Sequence, residues 1–88
     1  MRFDYQFTRP AERRLSRLSA GDQRRVLARL EKLCDDPFAT GVSKALHGPL
    51  TGVRSSRVGA LRILYEIRGA TLFAVLDVGP RGDIYKRP

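Results

Sequence analysis

The chain has 88 residues, 42% of them hydrophobic, and a formal charge of +8 from 17 basic against 9 acidic side chains. That length suits one domain, residues 1–88, with one modest core, and that composition excludes a disordered chain. No apolar run is long enough to span a bilayer, "MRFDYQF" lacks the apolar region of a signal peptide, and the one cysteine, Cys34, excludes an internal disulfide. A reducing cytoplasm and no membrane are therefore expected. With one cysteine and one histidine, His47, no metal site and no cofactor are expected either.

In residues 2–7, Phe3, Tyr5 and Phe7 alternate with polar residues, which predicts a half-buried strand. Thr8 offers an N-cap oxygen and Pro10 suits a first helical turn. Ala11, Leu15 and Leu18 recur at helical spacing, so a short amphipathic helix is predicted over 9–18. Ser19 begins a second cap, with Asp22 three residues on. Val26, Leu30 and Leu33, widened by Leu27 and Cys34, form the stripe of a second helix. That helix must end near Asp36, because Pro37 follows. Asp35 and Asp36 sit at the unfavourable end of its dipole, and the local sequence gives no reason for it.

Residues 37–52 carry Pro, Gly, Thr and Ser without a period and read as a connecting loop. A weak strand follows over 53–58. Gly59-Ala60 is a tight turn, 61–67 a clear strand, Gly69-Ala70 a second turn, and "TLFAVLDV" (71–78) a third apolar strand ended by Gly79-Pro80. "DIYKRP" suits a short edge strand. The order β-α-α-β-β-β predicts an α+β fold: an antiparallel sheet with a helical hairpin on one face. No internal repeat or low-complexity segment is present.

Fourteen of the basic residues are arginine and three are lysine, and each half of the chain carries +4. Planar guanidinium forks match phosphate and carboxylate oxygens, so a polyanionic partner is expected. Period two settles where the strand arginines point. Leu61, Ile63, Tyr65 and Ile67 share the core face, which leaves Arg62, Leu64 and Glu66 on the other. Arg54 and Arg57 lie three apart, so a regular strand sends them to opposite faces and only one joins Arg62 without a bulge. Arg57 lies nearest the turn, where the cross-strand neighbours of Arg62 fall. Of the other chemical groups, Cys34 sits on a core stripe, His47 lies in a loop with no carboxylate pair, and Glu66 shares a face with Arg62. No phosphate loop or nucleophile–His–acid set appears.

"LHGPLTGVRSSRVGALRILYEIRG" followed by "VLDVGPRGDIYKR" resembles the RelE/ParE superfamily of bacterial toxins. Leu46, Gly48, Gly52, Arg57, Gly59, Arg62, Tyr65, Val78, Gly79, Arg81 and Tyr85 stand at the spacing of that pattern, and the resemblance covers essentially the whole chain. It implies the toxin of a toxin–antitoxin pair. Its RelE branch implies a metal-free, ribosome-dependent mRNA endoribonuclease in which a ribose 2′-OH attacks the adjacent phosphate. Arg62 and Arg81 match the family's phosphate-binding arginines and Tyr85 its catalytic tyrosine, with Arg54 and Arg57 as further RNA or phosphate contacts. Its ParE branch implies a gyrase-binding toxin without nuclease chemistry.

Val53 and Ser55 stand where strongly cutting relatives carry a basic pair, and Ala60-Leu61 replaces an Asp-Tyr turn. These departures support a third alternative, a catalytically weakened toxin acting as an antitoxin-binding co-repressor. The implied partners are a cognate antitoxin, RNA and the ribosome, with operator DNA reached only through the antitoxin. The implied location is a bacterial or archaeal cytoplasm.

Overall fold

The computed structural model describes residues 2–80. Strand β1 (Asp4–Phe7) leads into helices α1 (Arg9–Ser16) and α2 (Ala20–Asp35). There follow a two-residue strand β2 (Lys44–Ala45), a 3-10 turn at Gly48–Leu50, and strands β3 (Arg54–Val58), β4 (Leu61–Gly69) and β5 (Leu72–Pro80).

Both helices start where their caps dictate. Thr8 Oγ1 accepts from the amide of Ala11, and Ser19 Oγ accepts from the amide of Asp22. Helix α1 is two residues shorter than its apolar spacing predicts: the amides of Arg17 and Leu18 donate to carbonyls three residues back, which tightens the last turn and ends it. Helix α2 ends with Asp36 as its C-cap, before Pro37.

The structure supplies the missing reason for the acidic end of α2. Arg2 forms ion pairs with both Glu31 and Asp35, and Asp36 Oδ1 accepts the amide of Phe38 at 3.0 Å. The carboxylates there tie down the N-terminal segment and the start of the next loop. These contacts act against the unfavourable dipole term.

The core lies between the helices and one face of the sheet. Ala11, Val26, Leu30, Leu33 and Cys34 pack on Leu61, Ile63, Tyr65, Phe73, Val75 and Val78. Leu27, expected to widen the α2 stripe, is instead exposed, because the buried stripe runs through Val26 and Leu30, one residue before it and three after.

The α+β architecture stands, with two additions. Residues 44 and 45, expected within a loop, form an edge strand antiparallel to β3. The consecutive strands β3, β4 and β5 pair antiparallel as expected, but β1 joins β5 in parallel, so the five-stranded sheet is mixed, in the order β1-β5-β4-β3-β2. Local turn signals fix neighbouring hairpins; the first-to-last pairing is set by the crossover through both helices.

A bulge in β5 decides which side chains face where. Leu64 pairs with Asp77 but Tyr65 pairs with Val75, which leaves Leu76 as an extra residue. The carbonyl of Leu76 accepts from Thr8 Oγ1 at 3.3 Å, so the start of α1 serves the bulge. Strict alternation would carry Asp77 to the core face with Phe73 and Val75. The bulge instead sends Val78 there and returns Asp77 and Gly79 to the face of Leu64 and Arg62.

Candidate anion-binding cleft

The tight Gly59-Ala60 turn sets the register of β3 on β4, and the register sets the site. Arg57 is the direct partner of Arg62, and Ser55 of Leu64. One strand further out, Lys44 is the partner of Ser55. Side chains of paired residues share a face, so Lys44, Arg57 and Arg62 project from the side of the sheet opposite the helices. They line a cleft of about 480 Å³ whose remaining wall is Gly41, Val42, Ser43 and Ser55.

None of these lining residues is a carboxylate. Arg57 is exposed, and Arg62 is half-buried with Nη1 a long 3.5 Å from Ser55 Oγ. Two guanidiniums placed opposite each other repel. An arrangement of three cations around one concavity suits a phosphate, which each could bind with a charge-assisted hydrogen bond.

The loop wall of the cleft is anchored from behind. Arg54 Nε donates to Ser43 Oγ at 2.7 Å, Ser43 Oγ bonds the phenol of Tyr65, and the Tyr65 phenol donates to the carbonyl of Pro37. Because Tyr65 has one proton and spends it on Pro37, Ser43 is the donor to Tyr65, so every group in the relay has a fixed role. Burial pushes the Tyr65 phenol above the ordinary tyrosine range, against the opposing effect of its bonds to Ser43 and Arg54.

The sequence-derived candidates therefore separate. Arg57 and Arg62 come together in the cleft. Arg54 pairs with Tyr65 on the opposite face, where its guanidinium lies 5.1 Å from the Phe38 ring centroid. Arg81 and Tyr85 lie outside the described residues. Glu66 shares its face with Arg62 but forms an ion pair with Arg68 at 2.9 Å, and it does not line the cleft. His47 is exposed at the start of the 3-10 turn. Cys34 is a buried free thiol, held up in pKa by that burial.

Two residues, one lining the cleft and one beside it, escaped the sequence reading. Lys44 sits on a strand of two residues, too short for any periodicity. Arg14, on α1, is the second. Its Nε bonds the carbonyl of Val78 at 3.2 Å and lies 3.7 Å from Asp77 Oδ1. Gly79 is the cross-strand partner of Arg62, and a Cβ added there would sit 2.3 Å from Arg14 Nη2. Gly79 thus yields its side-chain position, next to Arg62 in the cross-strand row, to an arginine from the helix. The clue in sequence was the glycine itself, which an apolar strand otherwise disfavours.

Residues 5–85 match the family model described as the ParE toxin of the type II toxin–antitoxin system parDE. The chain belongs to this toxin family. Among solved structures, the toxin is similar to a chain of the RelBE2 toxin–antitoxin complex from Mycobacterium tuberculosis, at 30% identity and a TM-score of 0.82, covering 92% of this chain and 100% of that one. A YoeB/ParE toxin from Agrobacterium tumefaciens is 19% identical with a TM-score of 0.78, over 90% of this chain and 99% of that one. A chain of the archaeal RelE–RelB complex from Pyrococcus horikoshii is 21% identical with a TM-score of 0.73, over 93% and 98% of the two chains. The last two likenesses are of fold. No curated protein is matched. Among the described residues, no helix of the toxin is long and apolar enough to cross a membrane.

Proposed function

We propose that this toxin is a ribosome-dependent messenger-RNA endoribonuclease that holds the scissile phosphate in the Lys44–Arg57–Arg62 cleft. The observation that carries this reading is the direct opposition of Arg57 and Arg62, with Lys44 beside them, in a concavity whose described lining has no acidic side chain. In this reaction the 2′-OH loses its proton and bonds to phosphorus. The bond from phosphorus to the 5′ oxygen breaks, and that oxygen takes up a proton. The products are a cyclic phosphate and a free 5′-OH.

Arg57, Arg62 and Lys44 would stabilise the charge that builds on the phosphoryl oxygens. The described lining offers no group suited to remove the 2′ proton. The resemblance assigns that role to Tyr85, with Arg81 as a further clamp. An ordinary phenol with a pKa of about 10 is a weak base at neutral pH, and neighbouring guanidiniums favour its anion.

The reading is tested by expressing the toxin alone and mapping transcript ends by primer extension, with and without ribosomes. Cleavage within translated messages is expected, lost in Arg62→Ala and Tyr85→Phe. Intact transcripts during growth arrest would overturn it.

A second reading, a gyrase-binding toxin without nuclease chemistry, is favoured by the family model, whose description is ParE. Inhibition of supercoiling by purified toxin that leaves RNA intact would establish it. Harmless expression without a partner would instead point to the weakened co-repressor.

On any of these readings we propose a cognate antitoxin as partner in the cytoplasm. The RelBE2 and RelE–RelB relatives are toxin–antitoxin complexes by description. With a charge of +8 on the toxin, an acidic or amphipathic antitoxin segment would associate through electrostatic attraction and slow markedly with added salt. Operator DNA would be reached through that antitoxin.

A further inference from the structure

We propose that α1 carries a second phosphate-binding surface, adjoining the cleft but lined by different residues, that takes the sugar–phosphate backbone of a nucleic acid. Pro10, Arg13, Arg14 and Arg17 fall at i, i+3, i+4 and i+7, so they share one face of the helix, and they line a shallow depression of about 220 Å³. Arg9 lies one turn before Arg13 and extends the row. Arg14 is the fixed member, held by the Val78 carbonyl and Asp77. Arg9, Arg13 and Arg17 are exposed.

Part of this row opposes the helix that bears it. Arg13, Arg14 and Arg17 stand at the negative pole of the dipole, where cations are favoured, but Arg9 stands at the positive pole, and Arg9–Arg13 and Arg13–Arg17 are like-charge pairs at i,i+4. Several other arginines of the described chain have carboxylate partners: Arg2 with Glu31 and Asp35, Arg25 with Asp22, Arg68 with Glu66. Among the described residues, the side chains of Arg9, Arg13 and Arg17 have no such partner. A phosphate backbone supplies the missing counter-charge.

The chemistry around the row selects the ligand. A protein partner binds through a buried aromatic or aliphatic anchor, and the exposed large hydrophobic residues, Leu27, Phe38 and Leu50, are all off this helix. Sequence-independent binding of bases calls for aromatic stacking platforms, and α1, RPAERRLS, has none. A row of guanidiniums without such neighbours suits a regular array of oxyanions, which a nucleic-acid backbone presents. The cleft is built on β2, β3 and β4, whereas α1 flanks β5, so the two surfaces have different linings and adjoin where Arg14 reaches Gly79, the cross-strand partner of Arg62. This inference holds whether or not the cleft cuts RNA.

The test measures binding of the full chain to a labelled RNA duplex, a DNA duplex and a single-stranded RNA across a salt series. Three proteins are compared: the native chain, an Arg9→Gln/Arg13→Gln/Arg17→Gln variant, and a control, Arg24→Gln/Arg25→Gln/Arg68→Gln, with the same change in net charge. The first variant is expected to lose at least tenfold in affinity for one or more of the nucleic acids. Its salt slope should fall by about 2 on single strands or about 3 on duplex DNA, as three lost phosphate contacts require. The nucleic acid showing the largest loss identifies the source of the backbone. Equal losses in the control would overturn the proposal in favour of net charge alone. So would an unchanged salt slope, or a loss seen only with poly-glutamate as an acidic polypeptide probe. A cleft variant, Arg57→Gln, separates this surface from the cleft, because it leaves the α1 row intact.

Discussion

Arg57 and Arg62 face each other across β3 and β4 as direct cross-strand partners, and both line one cleft. Like charges so placed weaken a sheet, whereas almost any neutral pair would not. Replacing exposed Arg57 by Gln should therefore raise folding stability by about 0.2–1 kcal/mol while weakening the grip on anions. Thermal unfolding and single-stranded RNA binding, measured on the same variant, should move in opposite directions. A variant both less stable and unchanged in binding would mean that the pair serves the fold.

The Tyr65 relay predicts a different balance. Tyr65→Phe keeps the ring against Phe73, whose centroid is 5.1 Å away, and removes the hydroxyl that bonds Ser43 and Pro37. The buried Pro37 carbonyl then loses its donor, at a cost of about 1–3 kcal/mol. Urea unfolding measures that loss. Because Ser43 is part of the cleft wall, anion affinity should fall too, although Tyr65 itself does not line the cleft.

These two sites differ in how far the sequence foretold them. The opposition of Arg57 and Arg62 was legible because period-two alternation and a two-residue Gly-Ala turn leave one register for the hairpin. The helix starts were legible because Thr8 and Ser19 are local caps. Lys44 was not, since two residues of strand carry no period. Arg14 was not, since its role depends on β5, more than sixty residues away, and on an added residue, Leu76, that shifts the alternation of that strand. The parallel pairing of β1 with β5 has the same cause. Local patterns specify faces and turns, and contacts between the chain's two ends are specified only by the packed whole.

The relation of Gly79 to Arg14 gives a test of that long-range contact. In Gly79→Ala, the new Cβ would lie 2.3 Å from Arg14 Nη2 and displace the guanidinium from the Val78 carbonyl and Asp77. Gly79 has a φ of 157°, so alanine there carries backbone strain whatever the space, and the collision with the end of Arg14 adds to it. Repeated in an Arg14→Ala background, the same change should cost less, with the backbone part remaining. Equal costs in both backgrounds would show that the glycine serves the backbone rather than Arg14.

Alkaline pH should weaken the fold, and the direction follows from three acids, two buried (Tyr65 and Cys34) and one half-buried (Tyr5). Burial is the main cause that raises the phenols of Tyr65 and Tyr5 and the thiol of Cys34 above their ordinary values. Each is thus harder to ionise in the folded chain than in the unfolded one. Their contribution is fully present below the unfolded values, about 8.5 for Cys and about 10 for Tyr. It is lost as pH climbs through the higher folded values, because the unfolded chain releases its protons first. The urea midpoint should be flat from pH 7 to 8 and fall progressively above pH 9. In Tyr65→Phe, already weakened at pH 7, the further fall should be shallower, since one of the three acids is missing. A midpoint that rises between pH 9 and 10.5 would contradict the assignment of these groups as neutral and shielded from water.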